Sequence, residues 1–257
     1  MSKLKLISWN VNGIRAAEKK GILKWLEKEE PDILCVQETK AHVEQLSKEL
    51  INPNGYKTFW VSGEKKGYSG VAAFTKVEPK KIETGFGVKK YDSEGRILAL
   101  NYSDFILFNI YFPNGQRDAE RLKYKLGFYD EFLKYVDKLK EKGKKIIICG
   151  DVNTAHKEID LARPKENINT SGFLPIEREW MDKFVEHGYI DTFRHFVKES
   201  GHYTYWDTIT RARERNVGWR IDYFFISPNL LKNLKVAFIM SEVMGSDHCP
   251  LGIEIEV

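Results

Sequence analysis

The sequence predicts an α/β fold in which two β-sheets carry helices on their outer sides, and three observations lead there. Strand-like and helix-like patterns alternate along all 257 residues. The strand-like segments outnumber the helical ones, which favours packed sheets with helices as outer layers. No internal repeat, low-complexity tract or Pro/Gly/Ser linker interrupts the pattern, so one domain spanning residues 1–257 is expected.

Residues 4–9 form the first apolar run of strand length. Residues 21–29 are predicted as a short helix, ended by Pro31. Residues 32–37 are a buried strand, and 68–74, 96–101 and 105–112 are further strands. The clearest helix covers residues 118–142, where Leu122, Leu126, Tyr129, Leu133, Val136 and Leu139 recur at spacings of three and four. Gly143 suits its C-terminal cap. Residues 145–149 are then a buried strand running into Gly150-Asp151, residues 177–187 are helical, and 219–226, 236–240 and 251–257 complete the strands.

Hydrophobic residues make up 42% and charged residues 30%, an ordinary soluble balance. The longest apolar runs, such as Ile146-Ile147-Ile148-Cys149, are too short to span a bilayer. The first residues show no apolar stretch of signal-peptide length, so the protein is expected to stay in the compartment where it is made: intracellular, and cytoplasmic or nucleoid in a prokaryote. Cys35, Cys149 and Cys249 lack CxxC spacing and are odd in number, which fits a reducing interior and small core residues rather than a disulfide framework. The net charge of +4 is compatible with a polyanionic partner. Local charge says more: residues 210–220 place Arg211, Arg213, Arg215 and Arg220 beside Trp219. A solvated loop and a nucleic-acid contact both fit that stretch. Trp206 and Trp219 flank the loop and are candidates for a DNA-facing pocket. The scarcity of glutamine (Gln37, Gln45 and Gln116 only) hints at a thermophilic source.

Polar residues cluster at the ends of apolar strands: Ser8-Trp9-Asn10-Val11-Asn12, Gln37-Glu38-Thr39-Lys40, Tyr111-Phe112-Pro113-Asn114 and Gly150-Asp151-Val152-Asn153 each follow one, Asp222 interrupts the strand at 219–226, and Ser246-Asp247-His248 precedes the last strand. One such cluster is ordinary turn chemistry. Six of them, rich in carboxylate, carboxamide and imidazole, suit phosphodiester hydrolysis. Glu38 with Asn10, Asn12 or Asp247 supplies oxygen ligands for a hard divalent cation. Asp151 suits a water-activating carboxylate, and His248 suits a hydrogen-bond donor to phosphate, its tautomer held by Asp222. Tyr111, Asn114 and Asn153 are neutral donors suited to an oxyanion. His42, His187, His195 and His202 are expected at the surface or in packing, and His156 in a supporting position.

These segments, with Pro31-Asp32-Ile33, Glu158-Ile159-Asp160, Ser171-Gly172-Phe173, Tyr203-Thr204-Tyr205-Trp206 and Asn216-Val217-Gly218-Trp219-Arg220-Ile221-Asp222-Tyr223, resemble the exonuclease III family of apurinic/apyrimidinic endonucleases. That family lies within the endonuclease–exonuclease–phosphatase superfamily. The matches run in order from residue 8 to residue 250. The resemblance implies a four-layer α/β sandwich of the DNase I-like kind, two packed mixed sheets flanked by helices with the site at one rim. It implies Mg²⁺, with Mn²⁺ able to substitute, held by Glu38 with Asn10, Asp247 and Asn12 nearby. Asp151 and Asn153 would prepare the attacking water, His248 and Asp222 would serve the scissile phosphate, and Tyr111 and Asn114 would complete the clamp. The implied substrate is double-stranded DNA cut 5′ to an abasic or damaged site to leave a 3′-hydroxyl, with 3′→5′ exonuclease activity, by a monomer with no membrane partner. Tyr205 and Trp219 would wall the pocket for a flipped sugar. Arg213, Arg215, Asn216 and Ile209, the last at the place of an apolar wedge, would meet DNA. Two departures stand out: Asn12 replaces an Asp common in the family, and the loop Gly115-Gln116-Arg117 lies in a variable region. Two alternatives stand beside this reading: another phosphodiesterase or phosphatase of the superfamily, which shares the Asn, Glu, Asp-x-Asn and Asp-His elements, and a non-catalytic DNA-binding module with a decayed site, against which intact Glu38, Asp151, Asp222, Asp247 and His248 argue.

Overall fold

The structure, a computed structural model, describes residues 3–257; Met1 and Ser2, where the segment read above for a leader begins, lie outside it. In chain order the elements are β1 (Lys3–Asn10), α1 (Ile14–Lys19), α2 (Ile22–Glu29), β2 (Ile33–Gln37), α3 (Lys48–Ile51), β3 (Lys57–Val61), β4 (Val71–Thr75), β5 (Lys81–Thr84), α4 (Lys89–Asp92) and β6 (Ile97–Asn101). They continue with β7 (Ile106–Tyr111), α5 (Ala119–Glu141), β8 (Ile146–Asp151), α6 (Pro164–Asn167), α7 (Pro175–Glu186), β9 (Ile190–Asp191), α8 (Thr192–Phe196), β10 (Asp222–Ile226), β11 (Leu234–Ile239) and β12 (Leu251–Glu256).

Alternation along the strands builds the layers, because successive side chains point to opposite faces. In β1, Leu4 and Leu6 enter the core between the sheets, while Ile7 and Trp9 pack outward under α1 and α2. In β7, Leu107 faces the inter-sheet core, while Phe108 and Ile110 face outward with Phe128, Phe132 and Val136 of α5. Both faces of each sheet are covered, so the central strands read as continuous apolar runs rather than alternating ones. Each fully buried Phe or Leu contributes roughly 1.5–3 kcal/mol. The architecture is therefore the expected four-layer α/β sandwich, with sheets ordered β11-β12-β1-β2-β4-β3 and β5-β6-β7-β8-β10-β9. The cysteines are buried and free, as core residues. Among the described residues no helix is long and apolar enough to cross a membrane.

Helix α5 matches its predicted bounds closely, but its buried face is Arg121, Lys125, Phe128, Tyr129, Phe132, Leu133 and Val136, so Leu122, Leu126 and Leu139 of the predicted stripe lie at the edge of that face, half-buried. Asp118 accepts a hydrogen bond from Arg121 N at 2.7 Å as the N-cap, and Gly143 adopts φ +74° just past the end. Two predicted strands are shorter than expected. Residues 68–70 leave the strand because Ser69 and Gly70 take left-handed φ values of +54° and +91°. Residues 219–221 are not in β10; Trp219 instead bridges to Leu161 and Tyr205. The expectation missed β3, β5, β9 and the helices α1, α3, α4, α6 and α8. β5 is an exposed edge strand, Lys-Ile-Glu-Thr, with no apolar face to reveal it.

Two parallel pairs decide where the strand ends go. β1 runs beside β2 with Asn10 opposite Gln37, and β7 runs beside β8 with Tyr111 opposite Asp151. β10 is antiparallel to β8, with Asp222 opposite Asp151, and β12 begins opposite Ser8 of β1. Four strand exits and two strand entries thus share one rim.

Candidate active site

The rim rests on a polar link between the sheets. Gln37 Nε2 donates to Ser8 Oγ at 2.9 Å and across to Asn109 Oδ1 at 2.8 Å, and Asn109 Nδ2 donates back to Ala72 O at 2.8 Å. Above this link β2 ends sharply: Glu38 and Lys40 both take left-handed φ, +53° and +50°, which turns Glu38 toward the other sheet. Asn10 joins the two sheets there, its Nδ2 lying 2.8 Å from Glu38 Oε1 and 2.9 Å from Asp151 Oδ2. Gly150 makes the approach possible, since a Cβ at that position would lie 1.9 Å from Ile110 O.

Asp151 is buried, and its Oδ1 accepts Asn153 N at 2.7 Å. Burial, then the neighbouring Asp222, push its pKa up to about 8. His248 Nδ1 lies 2.8 Å from Asp222 Oδ2, which also accepts Thr204 Oγ1 at 2.6 Å. Burial alone would lower the His248 pKa, but Asp222, then Asp151 and Asp247, outweigh it and raise it to about 10. His248 is therefore the cationic partner of Asp222 at neutral pH. Burial opposes ionisation of Glu38 as well, but the Lys40 ammonium at 2.7 Å and the Asn10 amide hold its carboxyl below the usual range. Asp247 accepts both its Asn12 Nδ2 contacts at 3.0 and 3.1 Å, while Lys40 also reaches Asn12 Oδ1. Tyr111 is buried with its hydroxyl directed at Glu38; burial, then Glu38, raise its pKa well above the ordinary value.

The donor set fits a hard divalent cation. Ligand atoms of Glu38, Asp151 and His248 lie within 4.8 Å of one another. Among the described residues, four carboxylates, of Glu38, Asp151, Asp222 and Asp247, gather here, ion pairs to them come from Lys40 and His248, and Asp222 Oδ1 is buried without a partner. Oxygen donors with surplus negative charge are what such an ion requires. Asn10 presents its amide nitrogen to both carboxylates here; turning the amide over would present Oδ1 instead.

Beside these groups opens a cleft of about 280 Å³, with Tyr205, Trp219 and Ile221 on one side and Asn114, Gln116 and Ser171 on another. Asn153, at φ +57°, is pinned by its Nδ2 on Phe112 O at 2.9 Å and by Asn114 Nδ2 on its Oδ1 at 3.1 Å. Sequence reasoning gave no role to what holds this turn from behind. Lys125 is fully buried and donates to Asn153 O, Thr154 Oγ1 and Glu177 Oε1 at 2.8, 2.8 and 2.5 Å. No neighbour in sequence signals this role, because the partners of Lys125 lie 28, 29 and 52 positions away. His156 supports the same loop through Asp182 at 2.7 Å. His42, His187, His195 and His202 do not line the cleft.

The arginine loop divides. Ile209 is 91% exposed at its tip, and Arg211 and Arg215 are exposed. Arg213 instead turns inward: its guanidinium lies 4.6 Å over the Trp206 ring and donates to Ser241 O and Val243 O at 2.6 and 2.7 Å. Trp206 is buried beneath it and is not DNA-facing, which corrects that expectation; its indole N–H is committed to Asn216 Oδ1 at 3.1 Å. Asn216 Nδ2 in turn donates to Gly201 O at 2.9 Å. Arg220 is buried against Asp160 and Asp191.

The sequence pattern of the Endonuclease/Exonuclease/phosphatase family matches residues 7–248. An exodeoxyribonuclease of Bacillus subtilis is 43% identical over 256 residues, covering 99% of this chain and 100% of that protein. A DNA-(apurinic or apyrimidinic site) endonuclease of Dictyostelium discoideum is 42% identical over 260 residues, covering 100% of this chain and 72% of that protein. The structure of an AP endonuclease from Archaeoglobus fulgidus superposes with a TM-score of 0.90 at 29% identity, covering 99% of this chain and 100% of that one.

Proposed function

The chain belongs to the Endonuclease/Exonuclease/phosphatase family, and from that premise we propose that it is a Mg²⁺-dependent DNA-repair nuclease of the exonuclease III type. Its substrate is duplex DNA, cut 5′ to an abasic site to leave a 3′-hydroxyl. One observation carries the reading: Glu38, Asp151 and His248 converge at the mouth of a cleft walled by Tyr205 and Trp219. A phosphodiester can lie on the polar groups while a baseless sugar enters between the rings.

Asp151 accepts the proton of the attacking water, a task suited to a carboxyl whose pKa burial and Asp222 have raised to about 8. Asn153, fixed by Asn114 and Phe112, orients that water. His248, kept protonated by Asp222, donates from Nε2 to a phosphate oxygen, and Tyr111 donates its hydroxyl to another. Glu38 would hold the cation with Asn10, Asp247 and Asn12 around it. A bound divalent cation supplies charge stabilisation at the phosphate and the leaving 3′-oxygen. Arg211, Arg215 and Ile209 are the exposed groups of the loop that would meet the duplex. Incision beside damaged or deaminated nucleotides is a second reading, favoured by the amide of Gln116 and hydroxyl of Ser171 in the cleft wall, which a base could use.

The test is a 5′-labelled duplex with one central abasic site, incubated with Mg²⁺ or with EDTA. The expected result is metal-dependent cleavage 5′ to the site, with a product that a DNA polymerase extends. Equal cutting of undamaged duplex, or turnover of soluble phosphomonoesters alone, would replace this reading with one of the other superfamily activities.

A further inference from the structure

Arg96 stands at the head of β6, outside the cleft, where the sequence suggests only the start of a strand. Its side chain is 1% exposed, and it touches Tyr111 in three ways. Its carbonyl accepts Tyr111 N–H at 2.9 Å, its Nη1 donates to Tyr111 O at 2.9 Å, and its guanidinium carbon lies 4.6 Å from the centre of the Tyr111 ring. The guanidinium is itself clamped. Nε donates to Glu94 Oε2 at 2.5 Å and Nη2 to Tyr68 Oη at 3.0 Å. Arg121 of α5 closes the cluster, donating to both Glu94 oxygens at 2.7 and 2.8 Å and to Tyr68 Oη at 2.8 Å.

Charge balance shows what this cluster is for. Two guanidiniums meet one carboxylate, which leaves a positive charge in excess in a buried place. A buried ion cluster is a poor source of stability, because desolvation offsets the attraction. The excess charge meets aromatic faces: Arg121 lies 4.3 Å over the Tyr124 ring, and Arg96 lies 4.6 Å over Tyr111, nearer than its 5.6 Å to Tyr68. A planar guanidinium can stack on the Tyr111 ring and at the same time bond the Tyr111 carbonyl, which a lysine ammonium cannot do.

We propose that Arg96 is a positioning residue for Tyr111, holding its ring and backbone so that the hydroxyl stands at the phosphate side of the cleft beside Glu38, with Glu94, Arg121 and Tyr68 fixing Arg96 in turn. The inference rests on the role given to Tyr111 under the proposed function. Its test is a double-mutant cycle of Arg96→Lys with Tyr111→Phe, read by single-turnover incision of abasic duplex and by the ¹³Cζ resonances of labelled tyrosine in the DNA-free protein. Arg96→Lys is expected to slow incision about fivefold or more with DNA affinity unchanged, the scale of coupling between residues in contact. In the Tyr111→Phe background the same change should cost almost nothing. Losses equal in both backgrounds, or no loss, overturn the proposal. The resonance missing from Tyr111→Phe identifies Tyr111, and it should move in Arg96→Lys; a resonance that stays put overturns the proposal whatever the enzyme cuts. Failure of the parent to incise abasic DNA would instead strike the proposed function and leave the spectroscopic arm standing. Glu94→Gln, which keeps the shape of the clamp, should give the same pattern and serves if Arg96→Lys melts too low.

Discussion

Arg220 and Asp222 lie two positions apart and belong to two clusters of buried charge with opposite balance. Around Arg220, two carboxylates meet two guanidiniums. Arg220 donates to Asp160 Oδ1 at 2.8 Å and Asp191 Oδ2 at 2.7 Å, and Arg194 reaches Asp160 Oδ1 at 2.7 Å. Burial works against the Asp160 carboxylate, but Arg220 and Arg194 overcome it and hold its pKa at about 2. Around Asp222, carboxylates outnumber cations, and one of them, Asp151, is driven up to about 8 by burial and by Asp222. The same residue types therefore do two jobs. Balanced, they brace the segment that carries Trp219; unbalanced, they leave room for a cation and a carboxyl able to take a proton near neutral pH.

The contrast can be broken most decisively at Asp151. Asp151→Asn keeps the shape and removes the surplus charge. Incision should fall by ~10²-fold or more, while the thermal melt stays at or above that of the parent, because a buried repulsion is relieved. A variant that cuts like the parent would take Asp151 out of the chemistry.

On the balanced side, Asp160→Asn leaves Arg220 and Arg194 short of a counter-charge and should cost about 3–5 kcal/mol in a denaturant titration. The pH dependence has a definite sign. The folded-state pKa of Asp160 lies below its unfolded value, so its contribution is complete above about pH 4 and is lost as pH falls toward 2. For a pKa near 2 in the fold that contribution is about 2 kcal/mol. The parent should lose it between those pH values and Asp160→Asn should not; parallel acid curves would show that the brace is not charged as described.

Glu38→Gln sharpens the unbalanced side. The Mg²⁺ concentration for half-maximal incision should rise about tenfold or more, given that even outer partners of a metal ligand cost that much. Affinity for abasic duplex measured without metal should change little, because phosphate contacts dominate it. An unaltered metal requirement would remove Glu38 from the cation site.

The smallest effect separates two neighbours in the arginine loop. Arg215→Ala should reduce the log–log salt slope of DNA binding by roughly one unit. Arg213→Ala should leave the slope alone and lower stability by about 1–2 kcal/mol through lost bonds to the carbonyls of Ser241 and Val243. Equally reduced slopes for the two variants would mean that Arg213 reaches the phosphates as well, and an unchanged slope for both would take Arg215 off them.

Much of this was legible in the sequence for a local reason. The bounds of α5, the Gly143 that ends it and the apolar runs of β1, β2, β7 and β8 are written within a few residues of one another. The edge strand β5 was not legible, because Lys81-Ile82-Glu83-Thr84 buries no face. Lys125 and Arg96 were also missed, since a buried cation is recognisable only from its partners: Glu177 lies 52 positions from Lys125, and Tyr111 lies 15 from Arg96.

By itself the sequence determined which reactive groups exist, that most of them flank a strand, and which family they resemble, because strand periodicity and motifs are short-range properties of the chain; that Asp222 opens β10 rather than interrupting a strand was decided by the fold. Only the tertiary structure decided which of those groups share a charge environment. The parallel pairs β1–β2 and β7–β8 bring Asn10, Glu38, Tyr111 and Asp151 to one rim, and Trp9 Nε1 on His248 O, 239 positions away, fastens the last segment there. Within one arginine-rich stretch the same folding buries Arg220, turns Arg213 inward and leaves Arg215 in solvent. Charge acts through distance and burial, and neither is a property of neighbours in sequence.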